Sequence, residues 1–381
     1  MSFSRRQTIA MIGGGTIAAA AGTAGFAVTR APRTAFAPWE QAGRYDDPRM
    51  RALSHAILAP NPHNQQPWKV DLSQPDEVTL FVDLDRLLPH TDPFSRQICI
   101  GLGCFLEVMR LAALEEGLGI TFDLFPEGSD AAALDSRPVA RCRFTPTTTA
   151  ADPLFAQVPH RRTLKEPYDL VRPVPEAALH RIAAAAIHGS IIDYTAEPDA
   201  VAAMRELSKE AFLIEFRTER TYKESVDLFR IGHREVDANP DGIDLSGPIF
   251  ETLRLTGLFS REQALDRDSA SYAAGEQMVI GNMMTAMAHL WQVTPGNSRV
   301  DQIKAGQDWV RMNLAATAEG VGVQPLSQGL QEYPEMEEIY QTLHETLAPG
   351  GGTVQMWCRL GYGPQVAVSP RWPLEKKLLN A

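Results

Sequence analysis

"LAALEEGLG", Leu111 to Gly119, returns as "LAATAEGVG", Leu314 to Gly322, 203 positions further along a chain of 381 residues. The same shift carries Gly103 onto Gly306. A repeat of this kind bears on the fold before any local motif does, because a repeated unit can bury its apolar face against its copy. The upstream context agrees: "LFVDLDRLLPHTDPFSRQICIGLGCFLEVMR" reads as strand, loop, helix, and so does "HLWQVTPGNSRVDQIKAGQDWVRMN". Asp92-Pro93 marks the first helix start, and Ser298 with Asp301 predicts a capping box at the second. Leu102, Phe105, Leu106, Met109, Ala112 and Ala113 follow helical spacing. Small residues on both helices permit close approach, and each helix leaves through a glycine pair into an extended segment. The predicted architecture is α+β. Each half has a mixed, mostly antiparallel sheet with helices around it, and the halves meet through the two long helices about a local two-fold axis. One chain then folds as a pseudo-dimer and acts as a monomer.

"TPTTTAADP", near residues 145 to 152, is polar, bounded by proline and without periodicity, so it divides a first half at 38–150 from a second at 151–381. The second half carries an extra segment near 218–271, long enough to be a lid or an interface arm and equally consistent with a passive decoration. At the N-terminus, "SRRQTIAMIGGGTIAAAAGTAGFAV" places Arg5 and Arg6 before an apolar, Ala/Gly-rich run from Ile9 to Val28. This resembles a twin-arginine export signal, with cleavage after Ala27, and sets residues 1–37 apart as signal and linker. It predicts a periplasmic protein with the twin-arginine machinery as a partner; an uncleaved segment would be a membrane anchor. Hydrophobic residues at 44% and charged ones at 22% are globular values. A net charge of -11 argues against non-specific nucleic-acid binding. The four cysteines, Cys99, Cys104, Cys142 and Cys358, form no Cys-x-x-Cys pair, so neither a metal site nor a disulfide framework is expected.

Two clusters carry chemistry. "ILAPNPHNQQPW", Ile57 to Trp68, puts Asn64, Gln65 and Gln66 after a stiff Pro60/Pro62 turn. Neutral groups that donate and accept suit a flat ligand edge and suit a metal poorly. A polar helix-exit loop anchored by a buried Trp68 would read the same way. "VPHRRTLKEPY", Val158 to Tyr168, packs Arg161, Arg162 and Lys165 around Thr163, and "SPRWPLEKK" adds Arg371. Arginine forks suit phosphate, although a basic run is more often a solvated face. No Gly-x-Gly-x-x-Gly element or Walker loop stands in a strand-to-helix setting.

Taken in order, "APNPHNQQPW", "RRTLK", "AATAEGVG" and "GYGP…PRWPLE" resemble the motifs of the nitroreductase-fold flavoproteins, and most of all their fused, exported, Acg-type branch. The resemblance covers nearly everything after the signal. It implies FMN held between the halves. Arg161, Arg162, Thr163, Lys165 and Arg371 would come from the second half, mostly to phosphate and ribityl. Pro60, Asn61 and Asn64 would come from the first, and Pro325, Leu326 and Ser327 would lie along the ring. Asn61 and Thr163 stand where the family usually has serine, and Pro62 is unexpected. Neither half repeats the other's motif, so the resemblance implies one FMN per chain. It also implies ping-pong hydride transfer to nitroaromatic or quinone-like small molecules, with no catalytic side chain beyond positioning groups. The alternative is a flavin-binding or sequestering protein with little turnover.

Overall fold

Two helices of 20 residues, Arg96–Glu115 and Arg299–Ala318, keep the spacing of the repeat from their first residue to their last. The computed structural model in which they are seen describes residues 30–379; the export-signal reading concerns residues 1–28, outside that range. The first half contains α1 (Ala37–Gln41), α2 (Pro48–Ala56), β1 (Trp68–Asp71), β2 (Glu77–Val82), α3 (Arg96–Glu115), β3 (Leu118–Leu124) and β4 (Ala140–Pro146). A 3-10 stretch, Pro153–His160, leads to α4 (Glu176–Ala183) and β5 (Ile191–Thr195). Next come α5 (Pro198–Arg217), α6 (Glu219–Asp227), β6 (Phe229–Ile231), α7 (His233–Ala238), β7 (Ile243–Leu245), α8 (Pro248–Leu255), α9 (Arg261–Leu265) and α10 (Ala270–Met283). The chain then rejoins the second half through β8 (Ala288–Thr294), α11 (Arg299–Ala318), β9 (Gly322–Pro325), α12 (Glu337–Leu347) and β10 (Thr353–Gly361).

The two four-stranded sheets have the same topology, and β6 and β7 form a separate parallel pair. One runs β1-β2-β4-β3 and the other β5-β8-β10-β9, antiparallel at every pairing. Their burial differs for a physical reason. β2, "EVTLFV", alternates between buried and half-buried, because its sheet has one covered face. β8, "AHLWQVT", is buried at every position, because α11 covers one face of its sheet and α5, α10 and α12 cover the other. The extra segment is therefore wider than 218–271. It fills the whole β5–β8 connection, beginning with α5, and packs Phe212, Phe216 and Tyr272 into a second core with Trp291 and Trp357 of the sheet. The methionine-rich run Met278–Met287 divides: Met283 is buried and Met278 is exposed.

The halves meet where α3 crosses α11. A Cβ on Gly103 would overlap the carbonyl of Ile303, and a Cβ on Gly306 would overlap the carbonyl of Ile100. These two contacts are images of one another under the repeat. Cys104 Sγ completes the crossing with a 3.1 Å hydrogen bond to the Gly306 carbonyl. α3 is long and apolar enough to cross a membrane by composition, but 94% of its most apolar 18 residues are buried inside the protein, so it serves as a core helix.

The first residues of the two helices repeat the symmetry. Arg96 reaches into the second half, donating to the Leu330 and Gln355 carbonyls at 2.5 and 2.8 Å. Arg299 reaches into the first, donating to the Asp130 and Ala131 carbonyls at 2.9 and 3.1 Å. The predicted capping box at Ser298 and Asp301 is present. Asp92 instead acts from outside its helix, accepting from the Gln97 and Ile98 backbone N–H groups.

Further along the crossing, the buried Glu107 carboxylate lies between Arg110, at 2.5 Å, and Arg311 of α11, at 3.0 Å. Burial alone would raise its pKa, but the hydrogen bonds and charges of Arg110 and His188 outweigh it and hold the group down at about 2. A folded-state pKa below the unfolded one gives stability that is present above the ordinary glutamate range and lost as pH falls through it.

Two predictions follow from this interface. Gly103→Ala lowers unfolding stability by about 1–3 kcal/mol or more, since backbone faces the new methyl. Gly281→Ala in α10, where a Cβ meets nothing within 4 Å, raises it by up to about 1 kcal/mol; chemical denaturation of both variants checks the contrast. Between about pH 4.5 and 2 the protein loses on the order of 3 kcal/mol through Glu107. A pH–stability profile for Glu107→Gln that keeps the wild-type slope in that window contradicts the assignment.

Candidate functional site

The loop after α2 adopts backbone conformations that L-residues avoid. His63 (φ 46°), Asn64 (φ 54°) and Gln66 (φ 52°) all lie in the left-handed region. Such residues persist only where their surroundings over-determine them, and they concentrate at functional sites. Here the surroundings are the C-terminal segment and the extra segment. Asn64 donates to the Pro370 carbonyl at 3.1 Å and accepts from Arg371 Nη1 at 2.6 Å. Gln66 donates to the Pro240 carbonyl at 2.7 Å and accepts from the Trp372 backbone N–H at 2.9 Å. Its own carbonyl accepts from Lys377 Nζ. Asn61 closes the turn internally, accepting from the Gln66 backbone N–H and donating to the Ala59 carbonyl.

These contacts correct two sequence readings. The Asn64 and Gln66 amides do not present a free edge to a ligand; they fasten the loop to the rest of the fold. Arg371, assigned to phosphate, has all five N–H donors committed: to the Ile57, Leu58, Ala59 and Pro370 carbonyls and to Asn64. Its contribution at the site is charge and the position of the loop, not hydrogen bonds.

Arg161 is the contrast. It is only 5% exposed, and its Nη1 has no partner. Burial pushes its pKa down to about 10, with a small opposing effect from Cys104 and a further lowering from Arg162. Arg371 is pushed down to about 9, by burial first and then by Arg161 and Arg162. The indole of Trp39 carries both neighbours, with Arg162 at 5.1 Å and Arg371 at 5.6 Å from its ring centre. Three guanidinium groups thus feel one another, and none forms an ion pair among the described residues. Like charges gathered in a low-dielectric setting without an acid are costly unless an anion joins them.

Lys165 extends the cationic surface. It keeps accessible area, yet the protein packed around it lowers its pKa by desolvation, and Asp244 partly opposes this. His63 lies within its field. Burial, and then Lys165, bring that imidazole down to about 4, so it is neutral near pH 7, and its Nδ1 is buried without a partner. Thr163 is half-buried in the same segment, and its hydroxyl is uncommitted.

One face of α3 gathers these pieces. Gln97 donates to the Ser327 carbonyl at 3.4 Å. A Cβ on Gly101 would stand 3.1 and 3.2 Å from Pro62 and Asn61. Cys104 lies within the field of Arg161. At 1.5 Å rise per residue, these positions span about 10 Å. The second-half strands are in register with this face: Leu164 N–H donates to the Val323 carbonyl, and Leu326 N–H to that of Trp357. Ser327, Asn61–Pro62 and Arg161 are therefore strung along a single helix face, with Pro60 at the head of the loop and Pro325 and Leu326 beside Ser327. Two open surface depressions, of about 580 and 800 Å³, are lined by other residues. No cluster of potential metal ligands occurs among the described residues.

Several supporting residues escaped the sequence reading. Arg359, fully buried, spends all five donors on Gln324, Asn282, Thr285 and the Lys165 and Glu166 carbonyls, which fixes the Lys165 backbone. A lone arginine in the apolar strand "TVQMWCRLG" was the available signal. Asp241 binds the extra segment to the site, accepting from Arg86, Arg230 and Trp372 Nε1 at 2.6, 2.6 and 2.7 Å. Asp237 accepts from the Arg33, Thr34 and Ala35 backbone N–H groups, and the Asn64 carbonyl accepts from Gly242 N–H. Asp241→Ala leaves two half-buried arginines and an indole without their acceptor, at about 3 kcal/mol. Hydrogen exchange across residues 229–247 should rise in that variant; unchanged protection would sink the assignment.

No protein-family model matches the chain. A Mycobacterium tuberculosis protein provisionally named an NAD(P)H nitroreductase is 25% identical over 333 residues, 86% of this chain and 88% of that one. Another from the same species, named Acg and described in the same provisional terms, is 35% identical over 79 residues, 21% of this chain and 24% of that one. A solved structure from Anabaena variabilis, provisionally called a nitroreductase, overlaps with a TM-score of 0.38 at 11% identity, covering 81% of this chain and 82% of that one.

Proposed function

We propose, for a chain related along most of its length to nitroreductase-type proteins, that it is an FMN-dependent oxidoreductase with one flavin site between its halves. The observation that carries this reading is the buried Arg161 guanidinium, unpartnered at Nη1 and set beside two more arginines without an acid. A phosphate monoester supplies the missing acceptors and the missing negative charge. Arg161, Arg162 and the Thr163 hydroxyl would hold that phosphate, with Arg371 adding field from behind. Pro60, Asn61 and Asn64 shape the wall opposite, and the Pro325-Leu326-Ser327 backbone borders the ring end.

Bound FMN supplies reversible two-electron chemistry, and the protein sets access and electrostatics. Lys165, an ammonium in a desolvated surround, favours negative charge at the ring end. His63, neutral near pH 7, offers a hydrogen-bonding nitrogen without adding charge. Strand β9 and the strained loop hold their backbones rigid on either side. No side chain need act as acid or base. With FMN bound, a donor and a nitroaromatic or quinone-like acceptor would use the site in turn, as ping-pong turnover. Arg5 and Arg6 with the apolar run after them support export by the twin-arginine route, and the halves are read as 38–150 and 151–381.

The second-half counterpart of the strained loop supports a single site. Asp308, from α11, accepts from the Ile187, His188 and Ser190 backbone N–H groups and fills the space behind that turn with the chain's own carboxylate. A second reading rests on the extra segment, which is fastened over the loop by Asp241, Pro240 and Gly242. A cover so secured favours a protein that holds flavin and turns over slowly.

Flavin released by acid from the purified protein, counted per chain, tests the reading. One FMN per chain is expected, and Arg161→Ala with Arg162→Ala should weaken retention at least about a hundredfold. Two per chain overturns the single site, and none after incubation with excess FMN overturns the function. Steady-state reduction by any donor separates the enzyme from the flavin-holding protein.

A further inference from the structure

Glu215 stands in the last turn of α5 and is only 7% exposed. Both features work against its charge, since burial removes water and a helix C-terminus repels an anion. Ionised, it can only accept hydrogen bonds. One oxygen accepts from Gln331 Nε2 at 2.8 Å, and the other has Ser225 Oγ at 3.4 Å. The groups around it offer no counter-charge among the described residues. From α6 it faces Thr221, Ser225 and Glu224, and from the stretch after β9 it faces Gln331 and Tyr333. Arg220 lies over the Tyr333 ring but is paired with Glu335. Arg96 pairs with Glu332 and donates to Leu330 and Gln355. Arg217, at the end of α5, pairs with Glu276 of α10. α10 also packs Tyr272 on Phe216, and α12 brings Ile339 and Leu343 into the same core.

A neutral acid fits these surroundings better. One oxygen still accepts from Gln331, and the other, as a hydroxyl, donates to Ser225 Oγ. Burial pushes the pKa up to about 7 against the hydrogen bonds from Gln331 and Ser225, and Glu224 adds to the rise. The contact matters because of what α6 holds. Thr221 Oγ1 donates to the Glu215 carbonyl at 2.7 Å, which ties α6 to α5. Glu224 accepts from the His90 and Thr91 backbone N–H groups and from Thr91 Oγ1. Asp92 follows directly and accepts from the first turn of α3. α6 is thus clamped between Glu215 and the start of α3.

We propose that Glu215 is a proton-operated latch: neutral, it holds α6 against α5 and the stretch after β9; ionised, it lets α6 open locally. An opened α6 returns Glu215 to water and to the ordinary glutamate value of 4.5. Opening then releases a proton between pH 4.5 and about 7, and becomes up to about tenfold more favourable per pH unit across that window. Above it the effect levels off. The extra segment is therefore tightest in mild acid and loosens toward neutral pH. The latch needs no flavin and does not fail if the cofactor reading does.

Hydrogen exchange on the full chain at about pH 5 and about pH 7.5, corrected for intrinsic rates, tests it. Protection of residues 219–227 and of His90 and Thr91 should fall at least about tenfold over that interval, while the α3–α11 crossing keeps its protection. Glu215→Gln, a neutral side chain of the same length, should keep protection high at both values. Gln331→Met removes the carboxylate's shorter hydrogen bond and should move the levelling-off to higher pH; it keeps the test decisive if the first variant does not fold. Protection of 219–227 that ignores pH overturns the proposal, as does an unmoved profile in Gln331→Met. So does a fall that survives in Glu215→Gln, which would assign the proton to another buried acid such as Asp92, whose pKa burial pushes up to about 6. A fall shared by the whole chain would mean global unfolding, not a latch, and would overturn it too.

Discussion

The closeness of two helices at Gly103 and Gly306 is the constraint on which the rest of the structure depends. With no Cβ on either side, each backbone lies against the other's carbonyl, and α3 and α11 stay in contact along their length. Only at that separation can Arg96 and Arg299 each reach the backbone of the opposite half. Only then can Glu107 share Arg311 across the interface. The strained loop is seated by the same geometry, since Gly101, half a turn before Gly103, leaves room for Asn61 and Pro62. The crossing thus determines both the assembly of the halves and the distance between the loop of one half and the arginines of the other.

A symmetric frame has been given unequal loops. After α2 the chain takes three left-handed residues in a row of four and is held from outside, by Arg371, Trp372 and the extra segment. After α4 the equivalent turn is held from inside, by a single carboxylate that accepts three backbone N–H groups. A turn stabilised by its own half needs nothing from a ligand. A turn braced against the other half, facing guanidinium groups without an acid, leaves unmet electrostatic demand. The contrast among the arginines makes the same point. Arg359 and Arg371 are saturated by protein acceptors and act as framework, whereas Arg161 is buried just as deeply and is not saturated.

The duplication was legible because it is written in spacing: helix length, the glycine crossing and the capping box at Ser298 all follow from residue type and position. The basic cluster at Arg161 to Lys165 was legible as capacity for an anion. What sequence could not give was direction. An amide carries donors and acceptors whichever way it points, so Asn64 and Gln66 read as a ligand edge although they bind the C-terminal segment and the extra segment. Arg371 misread for the same reason, since nothing local reveals that the α2 exit presents carbonyls to it. The extent of the extra segment was hidden because α5, "PDAVAAMRELSKEAFLIEFR", is an ordinary amphipathic helix. Only the pairing of β5 with β8 reveals that it belongs to an insertion.

The stretch "DANPDGID", Asp237 to Asp244, fastens the extra segment to the rest of the fold through its acids. Its three carboxylates go to three different neighbours: Asp237 to the backbone at Arg33–Ala35, Asp241 to Arg86 and Arg230, and Asp244 to the field of Lys165. Together they supply negative charge around the rim of a cationic site while leaving its centre, at Arg161, without an acid. The fastening of the segment and the potential at the arginines therefore share the same groups. Carboxylates held near a cationic group lower its attraction for an anion from solution, so the groups that fasten the segment also set the potential around the arginines.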